Sequence, residues 1–450
     1  MIPIKYRNFF LILIITLLIL LSRNKLYFQH SQCRAEQSNQ EWDSIAIYNV
    51  KSNDNLTRIA RKFYSQTDAF PLSSFTSQIR GLNNISNNTI RTGQKLKIPL
   101  NRRTSLLEKI QPDTIRGIYI QPYYLNSAKA IEIVKHYKET NCNAIVVDFK
   151  NMRGELFYPS KNEIAQQVNI ISLVISHPEK MISFCHKHNI SLIARFVVFH
   201  DIAIANAFQE WTPIADTTRK QSVSDDEKKW LNPYLPEVQA YQLALLKEVL
   251  SFGVDEIQLD YIRFPTESKY TDRSFSLPDS VKREDVIVDF LRKVRILTDE
   301  YNTKLSADVF GIIAFQRSVD IASTGQNIKR MAKYLDRINP MIYPSHFFGR
   351  FEGKKYPGKE PYYFVHQTCK RIKGICPASL RVSPFLQAFS LWHSQFNPAY
   401  LLSQLQALKD CDITDGFLLW NAASKYEKSW PALKLWNSGT KYIPLENNDY

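Results

Sequence analysis

In the stretch "GVDEIQLDYIRFP", Gly253 to Pro265, Gln258 and Asp260 occupy alternate positions among Ile257, Leu259 and Ile262. Side chains on a strand alternate sides, so Gln258 and Asp260 share one face and Ile257 and Leu259 the other. A carboxylate inside such a run is costly to bury without a partner. Asp260 is therefore either a paired structural acid or a group at an opening where chemistry happens. The same spacing recurs as Ser306 and Asp308 in "LSADVFG" and as Asp148 and Lys150 in "AIVVDFK". Two carboxylates flanking one bond, Asp260 and Asp308, would provide the nucleophile or base and the acid of glycoside hydrolysis. Arg195, Arg263 and Lys150 are cations that would keep a nucleophile ionised, while a more enclosed acid would keep its proton.

Positioning such groups requires strands in register, and the chain from 114 to 438 alternates strand and helix patterns. Candidate strands are "RGIYIQPYY", "AIVVDFK", "SLIARFVVF", "EIQLDYIRF", "KLSADVFG", "INPMIYPSH", "RVSPFLQAF" and "DGFLLWNAA". Between them lie helical patterns such as "AKAIEIVKHYKE", "PEVQAYQLALLKEVLSFG", "REDVIVDFLRKVRILTDEY" and "PAYLLSQLQALKD". Eight such strands are the count of a (β/α)8 TIM barrel. A doubly wound sheet is the runner-up, but no strand leads into a Gly-rich phosphate loop.

A barrel collects function at the C-terminal ends of its strands. Those ends are polar here, which makes Asp260 and Asp308 the candidate catalytic pair. The candidate substrate-binding residues are Gln121, Asp148, Lys150, Arg195, Gln258, Arg263, Tyr343, His346, Gln387, Trp420 and Asn421. Shared parity within a strand would aim Asp148 with Lys150, Gln258 with Asp260, and Ser306 with Asp308 into one mouth. Tyr123, Phe149, Tyr343, Phe385 and Trp420 offer flat faces on which sugar rings stack. Each has a plainer alternative: Asp148 as a salt-bridge partner of Lys150 or Arg195, Arg263 paired with Asp260 or Glu256, His346 as a positioned hydrogen-bonder, Trp420 as a core cap. No cofactor is expected, and no Cys/His cluster has metal-ligand spacing.

The 450 residues allow one large domain plus a small one, and 44% hydrophobic with 12% aromatic content describes a packed globular chain. The net charge of +15 points to an anionic environment. No dense basic stripe and no zinc-finger spacing accompany it, so nucleic acid is not the expected partner. Membranes or wall polymers suit a dispersed excess better. The N-terminus, "MIPIKYRNFFLILIITLLILLSRNK", places Lys5 and Arg7 before an apolar run, the logic of an export signal. The run is short for a spanning helix, which needs roughly 17–25 residues, and no A-x-A-like cleavage site follows. An uncleaved anchor over 1–30 is expected, with a cleaved signal as the alternative. Cys33 lacks the small-residue context of a lipidated cysteine. The six cysteines are not a disulfide framework; Cys369 and Cys376 in "CKRIKGIC" are either a local bridge or two thiols.

Residues 31–47 read as a linker, followed by "YNVKSNDNLTRIARKFY" and "IRGLNNISNNTIRTGQKLKIP". Leu56, Ile59, Ala60 and Phe63 recur at helical spacing. The βααβ pattern resembles the LysM module over 48–100, carried by Tyr48, Val50, Asp54, Leu56, Ile59, Ala60, Asn83, Ile85, Ile90, Gly93, Gln94, Leu96, Ile98 and Pro99. That resemblance implies a partner glycan containing N-acetylglucosamine, peptidoglycan or chitin-like. Asn53 and Asn55 stand where the family usually has Gly and Thr, and "TDAFPLSSFTSQ" lengthens the middle. A second linker is expected over 101–113 and a tail over 439–450.

The stretches "DFKNMRGELFYPS", "IARFVVFHD", "GVDEIQLDYIRFP", "LSADVFG", "NPMIYPSHF", "FLQAF" and "DGFLLWNAAS", in that order, resemble a glycosyl hydrolase family whose TIM-barrel domain was formerly one of unknown function. The resemblance implies a (β/α)8 fold akin to the alpha-amylase-like glycosidases, with the fourth-strand Asp, here Asp260, as nucleophile. Asp308 matches the Asp of the family's "SADVFG" stretch, while the resemblance does not fix which residue is the acid. Asn151 and His200 depart from the expected Asp and Lys. Together these readings describe a cell-envelope protein outside the cytoplasm, membrane-anchored or secreted, that cleaves a surface or wall polysaccharide. The alternatives are a wall-binding scaffold without catalysis, and a lyase or transglycosylase using the same carboxylates.

Overall fold

The computed structural model describes residues 42–86, 89–101, 108–214, 229–266, 270–315, 317–347 and 349–439. The expected anchor, Cys33 and the tail from residue 440 lie outside the described residues. Among the described residues, no helix is long and apolar enough to cross a membrane. The chain forms two compact units.

The smaller unit pairs strand β1 (Ser44–Asn49) antiparallel with β2 (Lys95–Leu100). Helices Leu56–Phe63 and Leu72–Leu82 lie between them in sequence. Asn55 starts the first helix by accepting a hydrogen bond from the Arg58 amide at 2.8 Å, which satisfies one of the orphan N–H groups of a helix start. Leu56, Ile59, Ala60, Phe75, Ile79, Leu96 and Ile98 are buried. Asn83 ties helix to sheet: its Nδ2 donates to the Ile79 and Lys97 carbonyls, and its Oδ1 accepts from the Lys97 amide.

The larger unit is a closed parallel barrel. Its strands are β3 (Ile115–Ile120), β4 (Ala144–Lys150), β5 (Ser191–Val197), β6 (Glu256–Asp260), β7 (Lys304–Phe310), β8 (Arg337–Ile342), β9 (Arg381–Val382), β10 (Phe385–Gln387) and β11 (Gly416–Trp420). From β3 to β9 neighbours pair in that order, β10 pairs with β8 and with β11, and β11 returns to β3, so the barrel closes. The seventh stave is split into β9 and β10 around Ser383 and Pro384, because proline has no amide to donate to the ladder. Gly416 lets β11 close on β3: a Cβ there would lie 1.6 Å from the Ile115 carbonyl oxygen. The four helical patterns appear as Lys129–Thr140, Pro236–Ser251, Arg283–Glu300 and Pro398–Asp410, joined by Pro178–Lys187, Pro361–Ile375 and Ser429–Asn437.

The barrel is filled by side chains. Ile115, Tyr119, Ala144, Val146, Ile193, Tyr343, Phe385 and Leu418 pack together inside it. At the N-terminal end, the buried Arg337 meets Glu256 at 3.3 Å and donates to the carbonyls of Pro112 and Asp113. Ile110 donates its amide to Asp255 at 2.8 Å, so the segment before β3 lies across this end. With the floor closed, the polar side chains at the other end define the opening. Cys369 and Cys376 are free thiols, so the local-bridge alternative does not hold.

Candidate active site

Asp260 ends β6, and β7 beside it carries Asp308. The ladder between them registers Leu259 with Ala307, so the next residues along, Asp260 and Asp308, continue side by side on the inner face. Gln258 and Ser306 register one step below. From β5, Arg195 reaches across: Nη2 donates to Asp260 Oδ2 at 2.5 Å and Nε to the same oxygen at 3.1 Å. Its Nη1 donates to Asp148 Oδ1 at 2.5 Å. Tyr119 completes the chain by donating its hydroxyl to Asp148 Oδ2 at 2.6 Å. The other oxygen of Asp260 accepts the Tyr261 amide at 2.6 Å. Tyr261 itself has φ +51°, a left-handed conformation that is strained for a bulky side chain and clusters at functional sites.

The two carboxyls therefore have opposite surroundings. Asp260 holds a guanidinium, and 5% of it reaches solvent. Asp308 is 1% exposed, and its Oδ1 has no hydrogen-bond partner among the described residues. Burial first, then the charge of Asp260, push the Asp308 carboxyl well above the ordinary range, with Arg195 opposing. Its proton stays on at higher pH as a result. Burial works against the charge of Arg195, but the Asp148 and Asp260 carboxylates hold it protonated far beyond the usual arginine range. Burial and the nearby Asp308 and Asp260 raise the Tyr343 hydroxyl, which stays neutral.

Aromatic rings pack around these groups. Trp420 lies 4.2 Å from Tyr119 between ring centroids and 5.8 Å from Phe385. The Arg195 guanidinium sits 5.0 Å over the Trp420 ring, a cation–π contact that helps fix the fork. Tyr343, His346 and Phe389 form a further cluster with centroids 5.1 to 5.8 Å apart. Tyr119 was missed by sequence reasoning, although it shares the parity of Gln121 on the first barrel strand.

Several expected sugar contacts have other roles. Lys150 is fully buried and pairs with Asp201 at 2.8 Å while donating to the Val197 carbonyl. A register shift between Asp148 and Lys150 sets Lys150 beside Phe196. This bulge breaks the two-residue parity and turns Lys150 away from Asp148. Phe149 is likewise buried, packing on Tyr158, and offers no face to a ligand. Gln387 is fully buried with both amide ends occupied: Oε1 accepts from the Ser345 amide and hydroxyl, and Nε2 donates to the Phe389 carbonyl and Ser394 Oγ. Asn421 is taken up in its own turn and donates to the Ala388 carbonyl at 2.6 Å. Arg263 lies 4.4 Å from both the Trp230 and Phe310 rings and donates to the Phe264 carbonyl; the guanidinium against Asp260 is that of Arg195. Gln121 donates to the Ala422 carbonyl at 2.5 Å at the end of β3. Gln258 lies buried below Asp260, donating to Asn339 at 3.3 Å. Phe385 is buried inside the barrel, and Tyr123 is exposed beside Phe157.

At the two positions that depart from the family pattern, Asn151 donates to Glu155 at 2.6 Å and His200 Nδ1 lies 3.1 Å from the Met152 carbonyl. Both are engaged in the loops after β4 and β5.

Solved structures resemble this fold. The glycoside hydrolase domain of PgaB (BpsB) from Bordetella bronchiseptica aligns with a TM-score of 0.55 at 13% identity, over 71% of this chain and 98% of that one. A hypothetical protein from Ruminiclostridium thermocellum is 25% identical over 43% of this chain and 97% of its own, with a TM-score of 0.37. The Bacillus cereus spore cortex-lytic enzyme SleL covers 86% of this chain and 85% of its own at 14% identity and a TM-score of 0.40. No curated protein matches the chain. The LysM family matches residues 48–99, the βααβ unit. The remaining match, to the family described as "Putative glycosyl hydrolase domain", spans residues 117–426, nearly the whole barrel, and this chain belongs to that family.

Proposed function

We propose that the chain is an exported, envelope-associated glycoside hydrolase that cleaves a wall or surface polysaccharide, with Asp260 as nucleophile and Asp308 as general acid. The observation that supports it is the pairing of opposite electrostatic environments on adjacent strands: Arg195 against Asp260, and a proton-holding Asp308 beside it. Paired carboxyls with divergent proton affinities are the requirement of glycosidic cleavage. The Asp260 carboxylate attacks the anomeric carbon as the glycosidic bond breaks, and the Asp308 proton passes to the departing sugar oxygen. Asp308, now a carboxylate, takes a proton from water as that water's oxygen displaces Asp260 from the anomeric carbon. Both groups end as they began. The LysM unit would hold the enzyme on an N-acetylglucosamine-containing glycan, raising the local substrate concentration. The apolar N-terminus would tether it to the membrane.

A second reading, glycan binding without cleavage, draws on the enclosure of both acids, 5% and 1% exposed. Release of reducing ends from purified peptidoglycan and from a polysaccharide panel separates the two. Hydrolysis yields products that carry one added water; products lacking it indicate a lyase or transglycosylase, and no release leaves the binding reading.

A further inference from the structure

The loop that follows β10 holds a second aromatic residue in a costly conformation. Trp392 has φ +52° and is 73% exposed. A bulky residue at positive φ is an outlier, and an exposed indole recovers none of that strain by burial. The loop is nonetheless firmly braced. Ser394 donates its amide and hydroxyl to the Leu391 carbonyl at 2.9 and 2.7 Å, and Ser394 Oγ accepts from the Leu391 amide and from Gln387. Asn421 holds the Ala388 carbonyl, and Ser390 accepts the Phe396 amide. Gln387 and Asn421 thus hold the loop in shape. Strain kept in place by surrounding bonds is a mark of a functional position.

The loop starts at the candidate catalytic mouth. Tyr343, whose hydroxyl feels Asp308 and Asp260, lies 5.6 Å from Phe389, and Trp392 stands three residues further along. The neighbouring loop after β8 meets it where Tyr356 and His393 approach to 4.4 Å. Of these rings Tyr343 is buried, Phe389 is half-buried and Trp392 is exposed, and an exposed flat apolar face is what a pyranose ring stacks on.

Resting on the hydrolase reading of the mouth, we infer that Trp392 is a sugar-stacking platform at an outer subsite, and that the barrel therefore takes a polysaccharide chain several rings long. A short oligosaccharide at the carboxyls would not reach it.

Affinity electrophoresis of the full-length chain tests this, using the Asp260→Asn variant so that no gel polymer is cleaved, in gels holding glycol chitin, amylose, xylan or polygalacturonate. At least one polymer retards this parent, and adding Trp392→Gly weakens that retention about ten-fold, the loss of one aromatic stacking contact. Trp392→Phe restores most of it. The LysM unit is common to all variants, so any retention it supplies is equal in each, and the expected loss of about ten-fold refers to a gel polymer without N-acetylglucosamine. Because glycine relaxes the backbone, Trp392→Gly also raises the melting midpoint. Equal retention of parent and Trp392→Gly in every gel, or a lowered midpoint, overturns the inference. Reducing-end release by the wild type is read separately. Release without Trp392-dependent retention removes only the platform; Trp392-dependent retention without release removes only the hydrolase.

Discussion

Asp308 is a carboxyl whose surroundings oppose its charge, and that has consequences besides catalysis. Its folded pKa is raised above its unfolded value, so its contribution to stability is complete below the unfolded carboxylate range and is lost as pH rises through the folded pKa. Asparagine carries no such penalty. Asp308→Asn should therefore be more stabilising at pH 7 than at pH 3, because only the carboxyl must be held protonated against its unfolded pKa, while abolishing cleavage. Thermal melts at pH 7 and pH 3 check this, because the gain over wild type must be smaller at pH 3. With Asp308 as the proposed general acid, the same carboxyl should set the alkaline limb of kcat/KM, activity falling as Asp308 loses its proton. Lys150 gives the contrasting case. Lys150→Met would strand Asp201 in the interior and lower stability by about 3–5 kcal/mol, yet KM measured on the folded protein should not change, since Lys150 faces away from the mouth.

At the scale of elements, the register of β6 against β7 governs the chemistry. Neighbouring strands lie about 4.8 Å apart, close to the roughly 5–5.5 Å between carboxyls in retaining glycosidases and short of inverting separations. The first-formed product should therefore keep the anomeric configuration of the substrate, which proton NMR during early turnover reads directly; an inverted product would contradict a nucleophilic Asp260. Period-2 alternation made the β6 and β7 faces legible in the sequence, because both strands run without a bulge through Gln258 to Asp260 and Ser306 to Asp308. It misplaced Lys150 because a bulge inserts one residue after Asp148 and carries no sequence signature of its own. Gln387 and Asn421 have partners within their own loops that the sequence did not show. A polar residue at a strand end looks the same in sequence whether it faces a ligand or braces its own loop, and only the partners of its amide decide. The bond from Tyr119 to Asp148 links residues far apart in sequence, so spacing within one strand held no trace of it.

Across the whole molecule, the proposed function would divide the work between a holding unit and a cutting one. The smaller unit depends on Asp54, whose pKa is lowered to about 2 by the Lys51 amide, then by the Tyr48 hydroxyl and Lys62. A lowered pKa contributes stability above the unfolded carboxylate range and loses it as pH falls toward 2. Asp54→Asn should therefore melt the LysM unit at lower temperature at pH 7 than at pH 2 relative to wild type, as backbone amide NMR of that unit reports. Removing the unit altogether should reduce cleavage of insoluble wall while sparing soluble fragments, because tethering acts through local concentration. Hydrolysis itself is the part proposed for the barrel. Reducing-end release from purified peptidoglycan and the polysaccharide panel by the full-length chain and by Asp260→Asn, each confirmed as folded by its melting transition, tests it most directly. Release by the wild type and a loss of at least about 10³-fold in the variant are expected; equal release by both would remove Asp260 from the chemistry.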